Sequence, residues 1–129
     1  MIDFYTAPTP NGWKVAIALE EMELPYTPHV LNLSERTQHE EWFLAMNPNG
    51  RIPVIVDRVV DDLTIFDTGA IKLYLAENSR NFMPTSLTGH PSALPRLKFR
   101  MSGIGPQHGQ DVTYERYLPG EVSADRDRC

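Results

Sequence analysis

The sequence predicts an α/β domain with the element order βαβ-α-ββα, and three observations predict it. Short runs of strand-forming residues alternate with stretches whose apolar residues recur at helical spacing. The first three elements have the size of a βαβ unit, which is right-handed and parallel by strong default. A proline, Pro53, stands at the head of the third strand, one of the few strand positions where a missing N–H is tolerated.

Each element follows from its own residues. Residues 2–5, "IDFY", are the first strand, and the turn "TAPTPNG" leads into "WKVAIALEEMEL", where Val15, Ala16, Leu19 and Met22 share one helical face. Pro25 is expected to end that helix, and "YTPHVLNL" to supply a second strand around residues 30–33. A short helix over 40–46, carrying Trp42, Phe43 and Leu44, reaches the turn cluster "NPNGR". "VIVD" and "LTIF", separated by "RVVDD", have the spacing of an antiparallel hairpin. "DTGAIKLYLAEN" is helical, with Ile71, Tyr74, Leu75 and Asn78 along one stripe. Over residues 83–95, three prolines, one glycine and four Ser or Thr predict a linker. A helix is expected at 94–101. "GIGPQHG" reads as a turn, because its glycines miss the dinucleotide-binding spacing and follow no strand.

Composition narrows the function. The chain has 129 residues, 41% of them hydrophobic, and a net charge of −5. With a pI near 5.3 there is no electrostatic reason to expect nucleic acid or anionic lipid as a partner. Neither a leader nor a membrane span is signalled, so a cytoplasmic location is expected. The single cysteine, Cys129, allows no internal disulfide and no Cys-x-x-Cys pair. Any thiol chemistry therefore needs a thiol from outside. His29, His39, His90 and His108 share no metal-ligand spacing and are expected at the surface, with no metal site. "DRDR" near the end reads as a solvated tail.

The βαβ-α-ββα order with a proline opening the third strand is the thioredoxin-like arrangement. "FYTAPTPNGWKVAIALEE", "NPNGRIPVIVD" and "FDTGAIKLYLAE" closely resemble the glutathione-binding domain of glutathione S-transferases, in particular the nu class and related bacterial disulfide-bond oxidoreductases. The resemblance covers roughly residues 1–86, taken as the thioredoxin-like domain. It continues more thinly through "MSGIGPQHGQ" and "YERYLP", so residues 87–129 are expected to be a linker and the truncated start of a helical C-terminal domain.

Glutathione, an extended tripeptide with a thiol and two carboxylates, is the co-substrate this resemblance implies, and each of its groups finds a candidate. Ile52, beside a cis Pro53, would pair its backbone with the cysteinyl residue as an added strand; the bland alternative is a loop end. Asp67 would take the γ-glutamyl ammonium and Thr68 the carboxylate, at a helix start. Asp67 serves equally well as a helix cap. The family usually has Glu-Ser there, and the shorter Asp implies weaker hold on the amine. Thr9 and Asn11 stand where the nu class activates the thiol, against the reading of "TPN" as a turn with an Asn cap. Gln38 and Arg51 resemble positions that contact the glycyl end, or are solvated side chains.

The resemblance implies a glutathione-dependent transferase or disulfide-bond reductase, with an electrophile or disulfide as second substrate and a homodimer as its assembly. The competing reading is a non-catalytic module of the same family, or a truncated product without the electrophile site.

Overall fold

The computed structural model describes residues 1–84, 86 and 88–116. Two compact units divide the chain, Met1–Met83 and Pro84–Cys129.

The first unit is built on a four-stranded sheet of order β2-β1-β3-β4. Its strands are β1 (Ile2–Thr6), β2 (Tyr26–Val30), β3 (Val54–Asp57) and β4 (Leu63–Phe66). β1 runs parallel to β2 and antiparallel to β3, and β3 runs antiparallel to β4. Helix α1 (Pro10–Glu21) connects β1 to β2, α2 (Glu41–Met46) follows β2, and α3 (Thr68–Ser79) follows β4. The order is that of the thioredoxin-like arrangement expected above.

Residue alternation puts a separate core on each face of the sheet. On one face Ile2, Phe4 and Ile55 pack with Val15, Leu19 and Met22 of the α1 segment and with Ile71, Leu75 and Ala76 of α3. On the other, Val54 packs with Leu31 and with Phe43 of α2, bordered by Tyr5, Leu33, Met46 and Ile52. All four residues of β3 are buried, as a strand covered on both faces requires.

Several expectations are corrected. The second strand is Tyr26–Val30 rather than 30–33. It is an edge strand in register with β1, Phe4 opposite Pro28, and an edge tolerates proline. Leu31 and Leu33 instead leave the sheet and cap the second core. Two single 3₁₀ turns, Leu33–Glu35 and Thr37–His39, fill the path to α2. Helix α1 starts three residues before Trp13 and stops at Glu21, where Glu23 turns into the left-handed region (φ 53°), so Pro25 is not what ends it. Asn78 is exposed, and Ala76 takes its place on the buried stripe of α3. His29 lies at the surface with its side chain 42% exposed, but it is also engaged: its Nε2 lies 3.2 Å from Asp3 Oδ1, and its ring stacks on Tyr5 at 4.7 Å.

The second unit is helical earlier than expected. Helix α4 (Gly89–Phe99) begins inside the supposed linker and carries Pro91 and Pro95. A π turn (Arg100–Ile104) joins it to α5 (Gly105–Arg116). The glycine-rich "GIGPQHG" is thus helical rather than a turn. The π turn lets Gly105 N–H bond Arg100 O five residues back. Pro106 follows in the first turn of α5, where a missing N–H is least costly. Positions 85 and 87 and residues 117–129, with "DRDR" and Cys129, lie outside the described residues, as does the side chain of His90.

Candidate functional site

The register of the sheet gathers the expected site residues at one end. Tyr5 of β1 faces Val54 of β3, which in turn faces Phe66 of β4. The turn after β1, the residues before β3 and the residues after β4 therefore share that end. Thr6 pairs with Val30, so the segment after β2 arrives there too. Thr9 and Asn11, Ile52 and Pro53, and Asp67 and Thr68 are brought onto one rim although 59 positions separate the first from the last (9 to 68).

At the β1–α1 corner, Thr9 is the N-cap: its Oγ1 accepts from Gly12 N–H at 3.3 Å. The cap is Thr9 and not Asn11, which lies exposed in the first turn with Oδ1 accepting from Lys14 Nζ at 3.1 Å. Both side chains keep donors in hand. The Thr9 hydroxyl, having accepted, still carries its proton, and the Asn11 amide still carries its NH2 group. The first turn of α1 contains no acidic residue, so its positive dipole end is not offset there. Gly12 makes this corner tight: a Cβ at that position would stand 2.3 Å from the Ala7 carbonyl oxygen.

The approach to β3 is organised by Asn47, a buried residue that sequence reasoning passed over. Its Nδ2 donates to Arg51 O at 2.6 Å, its Oδ1 accepts from Asn49 N–H at 3.0 Å, and Gly50 N–H donates to its carbonyl at 2.9 Å. The Asn-Pro-Asn-Gly run is the signal, since Asn side chains close such turns on their own backbone. Gly50 sits at φ 61° with His39 and Gln38 against its α-carbon. Gln38 is thereby placed beside the Arg51 loop, and its Oε1 is buried without a hydrogen-bond partner. Arg51 itself is exposed. The Ile52–Pro53 peptide bond is cis. Among the described residues nothing bonds the backbone N–H or C=O of Ile52.

At the β4–α3 corner Asp67 caps the helix, Oδ1 accepting from Gly69 N–H at 2.9 Å and Ala70 N–H at 3.1 Å. It does so at φ 75°, an unusual conformation for a residue with a Cβ. The cap uses only Oδ1, and Oδ2 has no partner among the described residues. The N–H of buried Thr68 likewise has no partner among the described residues.

An apolar cleft of about 410 Å³ opens between the β1–α1 corner and the segment after β2, bounded by Pro8, Thr9, Val30, Leu33, Asn32 and Ser34. Among the described residues no group of three His, Cys, Asp or Glu is placed to hold a metal ion. No described helix is long and apolar enough to cross a membrane.

Known proteins share this arrangement. The disulfide-bond oxidoreductase YfcG of Escherichia coli is 39% identical over 126 residues, which are 95% of this chain and 59% of that protein. A glutathione transferase homolog from Lodderomyces elongisporus, crystallised with two GSH per subunit, superposes with a TM-score of 0.92 at 36% identity, covering 98% of this chain and 62% of that one. A glutathione transferase from Pseudomonas putida, with one glutathione disulfide bound per subunit, gives 0.92 at 35% identity, covering 98% and 57%. This chain thus spans less than two thirds of the length of each. The family model described as "Glutathione S-transferase, N-terminal domain" matches residues 9–78, more than half of the chain. With its thioredoxin-like sheet and the rim of Thr9, Ile52 and Thr68, the chain belongs to the glutathione S-transferase family.

Proposed function

We propose that this chain binds glutathione in an extended form along the rim and activates its thiol, as the glutathione-binding part of a transferase or disulfide-bond reductase. The observation that carries the reading is the backbone of Ile52, unpaired among the described residues, between two helix starts that both present donors. Strands lie about 4.8 Å apart, so β1 to β4 is roughly 10 Å, close to the span of an extended tripeptide. The cysteinyl residue would pair with Ile52, the γ-glutamyl carboxylate would meet the Thr68 N–H, and its ammonium the free Oδ2 of Asp67. The glycyl end would lie toward Gln38 and Arg51, where the buried Gln38 Oε1 offers an acceptor to an amide N–H.

One strand spacing carries the cysteinyl side chain from β3 to the β1–α1 corner. There the Thr9 hydroxyl and the Asn11 amide donate to the sulfur, and the end of α1 adds its field. These favour the thiolate and lower the thiol pKa from its ordinary value near 8.5. The chain need supply no nucleophile of its own. The thiolate attacks either an electrophile or a disulfide sulfur; in the second case one S–S bond breaks as another forms, and the departing sulfur leaves as thiolate. The apolar cleft beside Thr9 would take the apolar part of that second substrate. The relatives crystallised with two GSH, or with glutathione disulfide, support the reductive branch. Division into a glutathione-binding domain over 1–86 and the start of a helical domain over 87–129, a homodimer, and a cytoplasmic setting are proposals of the same reading, drawn from the family.

Retention of the folded protein on immobilised glutathione, with elution by free glutathione, is the expected result. A folded sample that passes straight through overturns the proposal.

A further inference from the structure

The Asn11 amide has one acceptor and two donors, and only one of these faces can meet a sulfur anion productively. The ammonium of Lys14 has donors only, so by bonding Oδ1 at 3.1 Å it fixes which way the amide is turned. Lys14 is one helical turn from Asn11 and half-buried on α1. None of the ion pairs among the described residues includes Lys14, and the first turn of α1 has no carboxylate to neutralise it. Among the described residues no carboxylate is therefore paired with its charge. Ordinary hydrogen-bond lengths put that charge roughly 7 Å from a sulfur held by Asn11 Nδ2, within a Debye length of about 8 Å.

We propose that Lys14 is a positioning residue for thiol activation: it holds the Asn11 amide with its NH2 group toward the bound thiol and sets a positive charge behind it. The inference rests on the glutathione reading above. A charge-assisted bond to Oδ1 also polarises the amide, making the N–H a stronger donor. A charge at that range, screened as in water, shifts a thiol pKa by about half a unit.

The test titrates the ultraviolet absorbance of thiolate with the full chain saturated with glutathione, in the unsubstituted protein, Lys14→Met and Lys14→Arg. The bound thiol of the unsubstituted protein is expected below that of free glutathione. Lys14→Met raises it by about half a unit, an effect that shrinks with added salt, and Lys14→Arg restores it. Methionine keeps the stem and the helix propensity; should that variant not fold, Lys14→Gln asks the same question. If the unsubstituted protein lowers the thiol pKa and Lys14→Met titrates identically, the Lys14 inference fails while the glutathione reading stands. If the bound thiol titrates as in free glutathione, or nothing binds, both fail together.

Discussion

The side-chain amide of Asn47 donates to the carbonyl oxygen of Arg51 at 2.6 Å, from a position only 2% exposed. Together with the Asn49 and Gly50 N–H bonds to the same residue, it closes the loop from which Ile52 emerges toward β3. Asn47→Ala would leave the Arg51 carbonyl and the Asn49 N–H without partners. The expected cost is about 2–3 kcal/mol, for a buried polar group lost together with its bonds. Urea unfolding followed by tryptophan fluorescence measures it, and glutathione retention should fall in parallel. A variant of unchanged midpoint would show that the loop holds its shape without the amide.

Gly12 limits the β1–α1 corner in a different way. The Cβ of Gly12→Ala would stand 2.3 Å from a backbone oxygen and 2.5 Å from Thr6 Oγ1, and only the second can swing aside. Destabilisation of about 1–3 kcal/mol is expected from such overpacking. Because Thr9 caps the helix onto Gly12 N–H, thiol activation should suffer as well. Thermal unfolding and the thiolate titration, run on the same preparation, read the two effects separately.

Asp67 is assigned two tasks, and two substitutions separate them. Asp67→Ala removes the acceptor for Gly69 and Ala70 and should cost about 1 kcal/mol of stability. Asp67→Asn keeps a capping oxygen but removes the charge that would meet the γ-glutamyl ammonium. Its stability should be close to that of the parent while its glutathione affinity drops severalfold, as loss of a partly exposed charge contact implies. Calorimetric titration that finds the Asn variant binding as tightly as the parent would assign Asp67 to capping alone.

The pH dependence of stability has two predictable limbs. The hydrogen bonds from His29 and then Arg58 lower the Asp3 carboxyl from its ordinary value. A depressed folded pKa means the unfolded chain binds the proton more readily, so this contribution is complete above about pH 4 and fades as pH falls through the folded value. Asp3→Asn should flatten that acid limb. Burial and then the hydrogen bond to Asp57 raise the Tyr74 hydroxyl, the bond being 2.7 Å long. Its contribution is complete below about pH 10 and lost as pH rises through the folded value. Tyr74→Phe should remove this alkaline limb. Denaturant midpoints measured across pH check both, and parallel curves for parent and variant would contradict the assignment.

Local rules sufficed where an element's residues decide its own state. "VIVD" and "LTIF" become strands at the expected residues, and Asp67 starts α3 because its side chain closes the helix on itself. The turn and helix-start positions of Thr9, Ile52 and Thr68 were legible too, since each is marked by Pro, Asn or Asp. Other features answer to distant partners. β2 lies four residues earlier than its apolar residues suggest, because the parallel register with β1 fixes it and leaves Leu31 and Leu33 for the second core. The Asp3–His29 pair spans 26 residues and has no local signal. The glycine-rich stretch is helical because a π turn shifts the hydrogen bonding just ahead of Pro106.

In the first unit the sequence alone determined the strands, the three α-helices and their order, and the side-chain groups at each turn, since these depend on spacing and side-chain chemistry over a few residues. Tertiary structure alone decided that Thr9, Ile52 and Asp67 share one rim, and which of their donors and acceptors were already engaged. Strand register and packing set both, and these arise from pairings between segments that sequence proximity does not encode.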